Sequence, residues 1–439
     1  MSTGAIAWFR RDLRLADNAA LEAAAERGRV VPAFVLPPDD TSAPEAAWLP
    51  RSLAALDDSL RLRGSALVVR GAAAHRALVE LALEAGARSV HCARVWSPAG
   101  LAEEEAVATA LAGLGVELLV SGGSLLVEPD ALATGSGGPY RVFTPYFRAW
   151  EGAWDPAVRA QAVPERLAPP AEMPASEPLP AVSGANPDPT SWWTPGEAGA
   201  LARLEEFVDE ALATYDERRD LPAIDATSRL SPHLAFGEIS PRQVVAAVEA
   251  NGLPAEATRP FVRQLAWREF AAHVLHHHPH TLTEPLRPEF AAMPWSNDPE
   301  TFDAWREGRT GYPLVDAGMR QLAETGWMHN RVRLVVASFL TKHLLVPWQT
   351  GERYFAETLV DFDAASNVFN WQWVAGCGAD AAPYFRIFNP SLQAAKFDPD
   401  GEYVRRWVPE AASARYPEPI VDHAEARERA LAAYAAIKS

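Results

Sequence analysis

The sequence predicts a two-part molecule: an N-terminal α/β domain with a Rossmann-like parallel sheet and an all-α C-terminal domain, joined by a long Pro-rich linker. Three observations carry this. Short β-branched runs alternate with Ala- and Leu-rich stretches over residues 1–130. Ten prolines fall between Pro156 and Pro195. Beyond Gly196 apolar residues recur at spacings of three and four. A chain of 439 residues is also long for one core, so two are expected.

Strands are expected at Ala5–Phe9, Val30–Leu36, Ala66–Val69, Val90–Trp96 and Val116–Val120, with helices over Ala19–Arg27, Ala73–Ala85 and Leu101–Leu114 between them. That alternation implies a parallel sheet covered on both faces. RRDLRLADN follows the first strand, so no G-x-G-x-x-G dinucleotide fingerprint is present. We divide the chain at 1–130, 131–195 and 196–439, the middle segment being the connector. In the last segment Leu201, Leu204, Phe207, Val208 and Leu212 mark one helix face. Further helices are expected at Pro241–Ala250, Arg259–His277, Leu314–Glu324, Trp327–Leu344 and Glu352–Leu359. Eight of the fifteen tryptophans lie at or beyond Trp267.

Composition excludes several classes. No apolar run reaches the roughly 20 residues that span a bilayer, and charges follow the first apolar stretch too closely for a secretory signal. Cys92 and Cys377 are far apart, so neither a disulfide framework nor a thiolate metal site is expected, and a cytoplasmic protein fits. A net charge of −17 opposes coating of nucleic acid by bulk charge but leaves room for a local basic groove.

Four constellations carry chemistry. Thr227-Ser228-Arg229-Leu230-Ser231 combines hydroxyls, N–H groups and a guanidinium before a helix, which suits a phosphate; a plain helix cap with an exposed Arg is the alternative. In Trp327–Arg333, Asn330 and Arg333 share a helix face and Arg331 points elsewhere. Asp361, Asp363 and Asn367 precede Trp371 and Trp373; buried, such groups need partners, and Arg333 is one for Asp361. An exposed acidic turn is the other reading. Trp295, Trp348 and Trp371 read singly as core. The HHHPH run at His276–His280 reads as a solvated helix end, and no metal site is assigned. No G-x-S-x-G signature is present.

In order, WFRRDLRLADN, TYDERRD, TSRLSPHLAFGEISPRQ, LAWREF, TGYPLVDAGMRQL, TGWMHNRVR, WQWVAGCGADAAPYFRIFNP and KFDPDGEYVRRW resemble the DNA photolyase/cryptochrome family over nearly the whole chain. The resemblance implies an α/β antenna domain and a helical FAD-binding catalytic domain. It implies FAD contacts at Tyr215, Thr227, Ser228, Arg229, Leu230, Ser231, Arg268, Trp327, Asn330, Arg333, Asp361, Asp363 and Asn367, with Asn367 beside flavin N5. Trp371, Trp348 and Trp295 match an electron-hopping chain. Arg219, Trp267, Arg331, Trp373 and Arg386 match contacts to DNA or to the lesion.

The function implied is light-driven splitting of cyclobutane pyrimidine dimers in UV-damaged DNA, with an electron from reduced FAD passing to a flipped-out dimer. Gln264 stands where many bacterial dimer enzymes have Glu, and Leu334 where many have Met. An amide can donate a hydrogen bond to the anionic dimer but is a poorer proton source. These departures keep a blue-light photoreceptor open, and (6-4) repair ranks lower because His329-Asn330 replaces a His pair. A folate, a deazaflavin, another flavin or no antenna at all is compatible with SPAGLAEEEA. A monomer is expected.

Overall fold

The computed structural model describes residues 4–36, 42–154, 160, 162–182, 188–296, 298–382 and 385–438. Its first half runs β1 (Gly4–Phe9), α1 (Ala19–Glu26), β2 (Val30–Val35), α2 (Ala43–Arg61), β3 (Val68–Arg70), α3 (Ala74–Ala85), β4 (Ala87–Ala93), α4 (Pro98–Ala112), β5 (Glu117–Ser121) and α5 (Phe143–Glu151). The five strands are all parallel, in the order β3-β2-β1-β4-β5.

The central strand shows why an unbroken apolar run becomes a strand here. Ala5, Ala7 and Phe9 point into one buried cluster, while Ile6 and Trp8 point into another formed with α3 and α4. With both faces covered, the period of two vanishes from the hydropathy pattern. Side-chain caps set the helix starts: Asn18 accepts from the Leu21 N–H, and Ser97 from that of Gly100 with Pro98 in the first turn.

The second half is helical: α6 (Glu197–Glu210), α7 (Tyr215–Arg218), α8 (Ser231–Phe236), α9 (Pro241–Ala250), α10 (Ala255–His277), α11 (Pro299–Arg306), α12 (Pro313–Thr325), α13 (Asn330–Ser338), α14 (Trp348–Thr358), α15 (Ala364–Ala375), α16 (Pro390–Phe397), α17 (Glu402–Trp407) and α18 (His423–Ala436). On α6, Leu204 and Phe207 are buried as expected, but Leu201 is 42% exposed. The 131–195 connector is not free of structure, because α5 lies within it and packs Phe143, Tyr146, Phe147 and Trp150 against α10. Its residues 155–159, 161 and 183–187 lie outside the described residues. The 19-residue α2 is absent from the sequence reading, since Pro50 sits inside it and reads as a break.

The halves meet through carboxylates, two of them buried (Glu238 and Glu269) and one half-buried (Glu197). Glu238 accepts from Trp48 Nε1, Glu197 from the N–H groups of Leu15 and Ala16, and Glu269 from Leu126 N, Val127 N and Trp150 Nε1. Between Glu238 and α8, Gly237 (φ +68) lies so close to the Arg11 carbonyl that a Cβ would approach it to 2.0 Å.

Burial outweighs the three donors at Glu269 and pushes its carboxyl up to about 7, from the ordinary value of 4.5. The folded protein therefore holds this proton more tightly than the unfolded chain does. The stabilisation is complete below pH 4.5 and is lost as pH rises through about 7. Glu269→Gln cannot titrate and turns an amide NH₂ toward N–H donors. Urea midpoints from about pH 5 to about pH 8 should fall less steeply than in the native chain, by on the order of 3 kcal/mol across the window, with a lower starting value.

Candidate functional site: a donor-lined cleft in the helical half

The helical half encloses a cleft with a cavity of about 800 Å³, adjoined by a second of about 390 Å³ that shares part of its wall. This is the size of a cofactor site. One wall is the loop before α8. Arg203 on α6 takes the carbonyls of Thr227 and Ser228, so the loop offers the cleft hydroxyls and N–H groups rather than acceptors. Arg229 adopts φ +51, an uncommon conformation for a side chain of this size. Its guanidinium lies 5.2 Å from the Trp327 ring, and its buried Nε, 3.4 Å from Asp225 Oδ1, makes no hydrogen bond. Trp327 Nε1 donates to Ser231 Oγ at 3.3 Å.

The floor is built by α13 and α15. The expected helix over Trp327–Leu344 begins only at Asn330, because His329 caps it by accepting from the Arg331 N–H, and residues 339–343 widen into a π turn. Asn330 and Arg333 both face the cavity, as their spacing requires. Arg333 reaches the Met328 carbonyl through Nε and Asp361 Oδ2 through Nη2, each at 2.7 Å. Asp361 is 3% exposed at its side chain, yet its Oδ1 has no partner. A buried carboxylate oxygen facing a cavity, with an orphaned arginine N–H on the opposite wall, fits a ligand carrying both donors and anionic groups. Asp363 instead caps α15 by accepting from the Ser366 N–H.

Asn367 lines a small cavity next to the cleft, one that shares Asn330, Arg333 and Asp361 with it. Both bonds made by its amide nitrogen end on Glu352, one at the backbone carbonyl (3.0 Å) and one at Oε1 (2.9 Å). The group left to face a ligand is the amide oxygen. Burial raises the Glu352 carboxyl, opposed by this hydrogen bond.

Trp267 and Trp373 wall the adjoining cavity together with Gln264 and Leu334. Phe143 lies flat on Trp267, centroids 3.5 Å apart and planes within 6°. The Asp380 carboxylate accepts from the Phe143 N–H, and its carbonyl accepts from Trp373 Nε1, so one residue anchors both aromatic walls. Gln264 donates one amide N–H to the Pro260 carbonyl, leaving the other and its oxygen for the cavity. At the mouth, Arg219 lies over Tyr215, and Arg331 pairs with Asp220 over the Phe397 ring. Arg386 stands apart: it is exposed over Phe388 and lines neither cavity. Trp371 lines a small cavity beside Asn367 and, like Trp348, is fully buried in one cluster, against which the half-buried Trp295 packs. Gly351 lets the Trp371 ring lie directly on α14.

Several contributors are not legible in sequence. Glu352 and Phe143 reach the site through tertiary packing alone. Arg259 and Arg263 line the mouth four residues apart on the α10 ridge that carries Trp267, and that spacing was the available signal. A further cavity of about 220 Å³ opens where β1 and β4 diverge at the centre of the sheet, lined by Arg11, Arg94, Trp96 and Ser97 and closed by Arg268 and Phe362. Arg268 spans both regions, donating to the carbonyls of Ser124 and Leu234.

A parallel α/β unit clamped to a helical bowl, with a donor-lined cavity above a guanidinium–carboxylate pair, defines a two-domain cofactor-binding protein. A family model for DNA photolyase matches residues 5–170, and one for the FAD binding domain of DNA photolyase matches residues 261–415. A deoxyribodipyrimidine photo-lyase of Agrobacterium fabrum is 47% identical over 99% of this chain and 98% of that protein. A bacterial class III photolyase from Agrobacterium tumefaciens superimposes with a TM-score of 0.95 at 46% identity, covering 100% of this chain and 98% of that one. An archaeal photolyase from Sulfolobus tokodaii, solved with two FAD molecules, gives 0.86 at 31% identity, covering 99% of this chain and all of that one. The chain belongs to the DNA photolyase family.

Glu352→Ala removes the side-chain acceptor and leaves the Asn367 amide held by the backbone carbonyl alone. Photoreduction of the bound flavin should slow by about three- to tenfold, the equivalent of one hydrogen bond, while flavin content stays at the native level. Absorbance during steady illumination measures the rate.

Proposed function

We propose that this protein repairs cyclobutane pyrimidine dimers in DNA by light-driven electron transfer from FAD held in the helical cleft. The observation that carries the reading is the pair of aromatic walls, Trp267 and Trp373, standing over a cavity that also holds Asn330, Arg333 and Asp361. Fully reduced FAD, when bound, supplies a photoexcitable one-electron donor. The residues of the chain do the rest.

The hydroxyl-rich loop 227–231 suits the cofactor's phosphates, and Arg333 with Asp361 suits its polar ring edge. The Asn367 oxygen, its amide held by Glu352, would be free to accept from a donor on that ring. A damaged base pair flips out at low cost because it is already poorly stacked, and the two tryptophans offer it apolar faces. Gln264 is placed to donate to its carbonyls. Around the opening stand Arg219, Arg259, Arg263 and Arg331, and phosphates can take over three of these guanidiniums from their carboxylate partners Asp216, Glu151 and Asp220, despite the net charge of −17. Trp371, Trp348 and Trp295 form the route by which the cofactor is recharged. The cavity at the centre of the sheet, at the carboxyl ends of β1 and β4, supports a second chromophore there. One lesion occupies one cleft, so the protein acts as a monomer. No described helix is long and apolar enough to cross a membrane, in keeping with an enzyme that meets DNA in the cytoplasm.

Purified protein with light-reduced flavin, illuminated with a thymine-dimer oligonucleotide, should restore base absorbance over many turnovers and only in the light. No recovery with fully reduced flavin and bound DNA overturns the assignment in favour of a photoreceptor. Gln264→Glu, which exchanges the amide for a stronger proton source, should raise repair per absorbed photon by up to about threefold. An equal or lower yield removes Gln264 from the chemistry.

A further inference from the structure

The histidine run that closes α10 does not end in open solvent. His276 Nε2 lies 2.7 Å from Asp130 Oδ1 in the turn Pro129–Ala131, and the His277 ring stands 4.9 Å from that of His276. Among the described residues, Asp130, His276 and His277 are the group whose ligand atoms all fall within 4.8 Å of one another. We propose that these three residues bind a first-row divalent transition ion, with zinc the best match, and so staple the turn after the sheet to the end of α10. This departs from the expectation that the chain holds no metal.

Three features converge on a cation here. His276 Nε2 faces a carboxylate oxygen, which only accepts, so the neutral ring carries its proton there and a metal bound at Nε2 would take that proton's place; Nδ1 is buried without a hydrogen-bond partner. The neighbouring His273 is fixed in the opposite tautomer. Its Nε2 accepts from the Tyr140 N–H, so its proton sits on Nδ1 and goes to the Pro129 carbonyl. It therefore acts as a second-layer support that fixes the turn carrying Asp130. Finally, α10 is 23 residues long and ends at His277, so the negative end of its backbone dipole faces the site.

Two imidazoles and one carboxylate select zinc, cobalt, nickel or copper over magnesium and calcium, which prefer oxygen ligands alone. Three protein ligands leave at least one position for water. Asp130 is 61% exposed at its side chain, so the ion exchanges with solvent and the affinity is moderate rather than that of a closed structural centre. His276 also meets the Trp96 ring edge-on at 4.8 Å, and Trp96 lines the cavity at the centre of the sheet. The ion thus sits one aromatic ring away from that cavity.

The test is calorimetric titration of zinc chloride into untagged, chelator-stripped holoprotein, repeated on Asp130→Asn and His276→Gln. The expected result is one ion per chain at micromolar affinity, weakened about tenfold or more in each variant, with flavin content unchanged. A zinc-dependent rise in the melting midpoint should appear in the native protein alone. Binding that is absent, non-saturable, or equal in native and variant proteins overturns the proposal and leaves the cluster a hydrogen-bonded helix end. Asp130→Asn keeps an oxygen that can accept from His276 Nε2 while removing the anionic ligand, and His277→Gln leaves the contact between His276 and Asp130 untouched. Weakened zinc binding in these two variants therefore separates loss of the metal from loss of that contact, and unchanged binding in them overturns the site.

Discussion

The structure depends on carboxyl groups that ought to be costly: acids withdrawn from water at the junction of the two halves. Glu197, Glu238 and Glu269 all come from the helical half, and each accepts N–H groups from the first half or from the segment that joins the two. A buried acid is tolerated only when such donors surround it. The requirement works in both directions. Leu126 and Val127 lie beyond the last strand in irregular backbone, and their N–H groups need an acceptor once covered. Each side thus satisfies groups that the other could not leave exposed to a dry interface. The apolar cluster that runs from Ala5, Ala7 and Phe9 through Trp48 to Phe236 and Trp327 supplies the bulk attraction, and the carboxylates fix the register.

That register matters because Phe236 and Trp327 belong to the cofactor-bearing half. The loop that carries Arg229 and Ser231 leads directly into α8, and α8 ends at Gly237 against the Arg11 carbonyl. Shifting the sheet would drag the loop with it. The first half is therefore part of the scaffold of the cleft, in addition to offering a cavity of its own. Phe143 makes the same point from the other side, since its backing of Trp267 depends on α5 being held beside α10.

What could be read from sequence follows the range of the physics involved. The five strands were legible because a doubly covered parallel sheet needs continuous apolar runs, and these are local. The expected Val90–Trp96 strand comes out as Ala87–Ala93, since Arg94 to Trp96 leave the sheet to line a cavity. Helix α9 matched to the residue because Ser240 and Gln243 form a reciprocal cap that is written in sequence. Helix α2 was not legible: its Pro50 breaks the pattern, and tertiary burial of Trp48, Leu53 and Leu56 overrides the penalty. In the site, Arg333 and Asp361 could be paired from chemistry alone, as an acid and a base each in need of a partner. Glu352 could not, because nothing in its local sequence marks it as the acceptor that orients Asn367.

Acidic bulk charge and a DNA substrate are reconciled by the same geometry. At physiological salt a charge is felt over roughly 8 Å, so a phosphate at the mouth responds to the arginines beside it rather than to the total. Arg259 is neutralised by Glu151 and Arg331 by Asp220, whereas Arg263 stacks over Phe143 and Phe147. A phosphate that replaces those carboxylates exchanges one anion for another and releases its own counterions. The paired acids also restrain the guanidiniums before any phosphate arrives, so less side-chain freedom is left to lose on binding. On the proposed reading, nonspecific duplex, which offers Trp267 and Trp373 no flipped-out lesion, competes for those arginines without that compensation. On that reading a net charge of −17 works against undamaged DNA more than against the lesion.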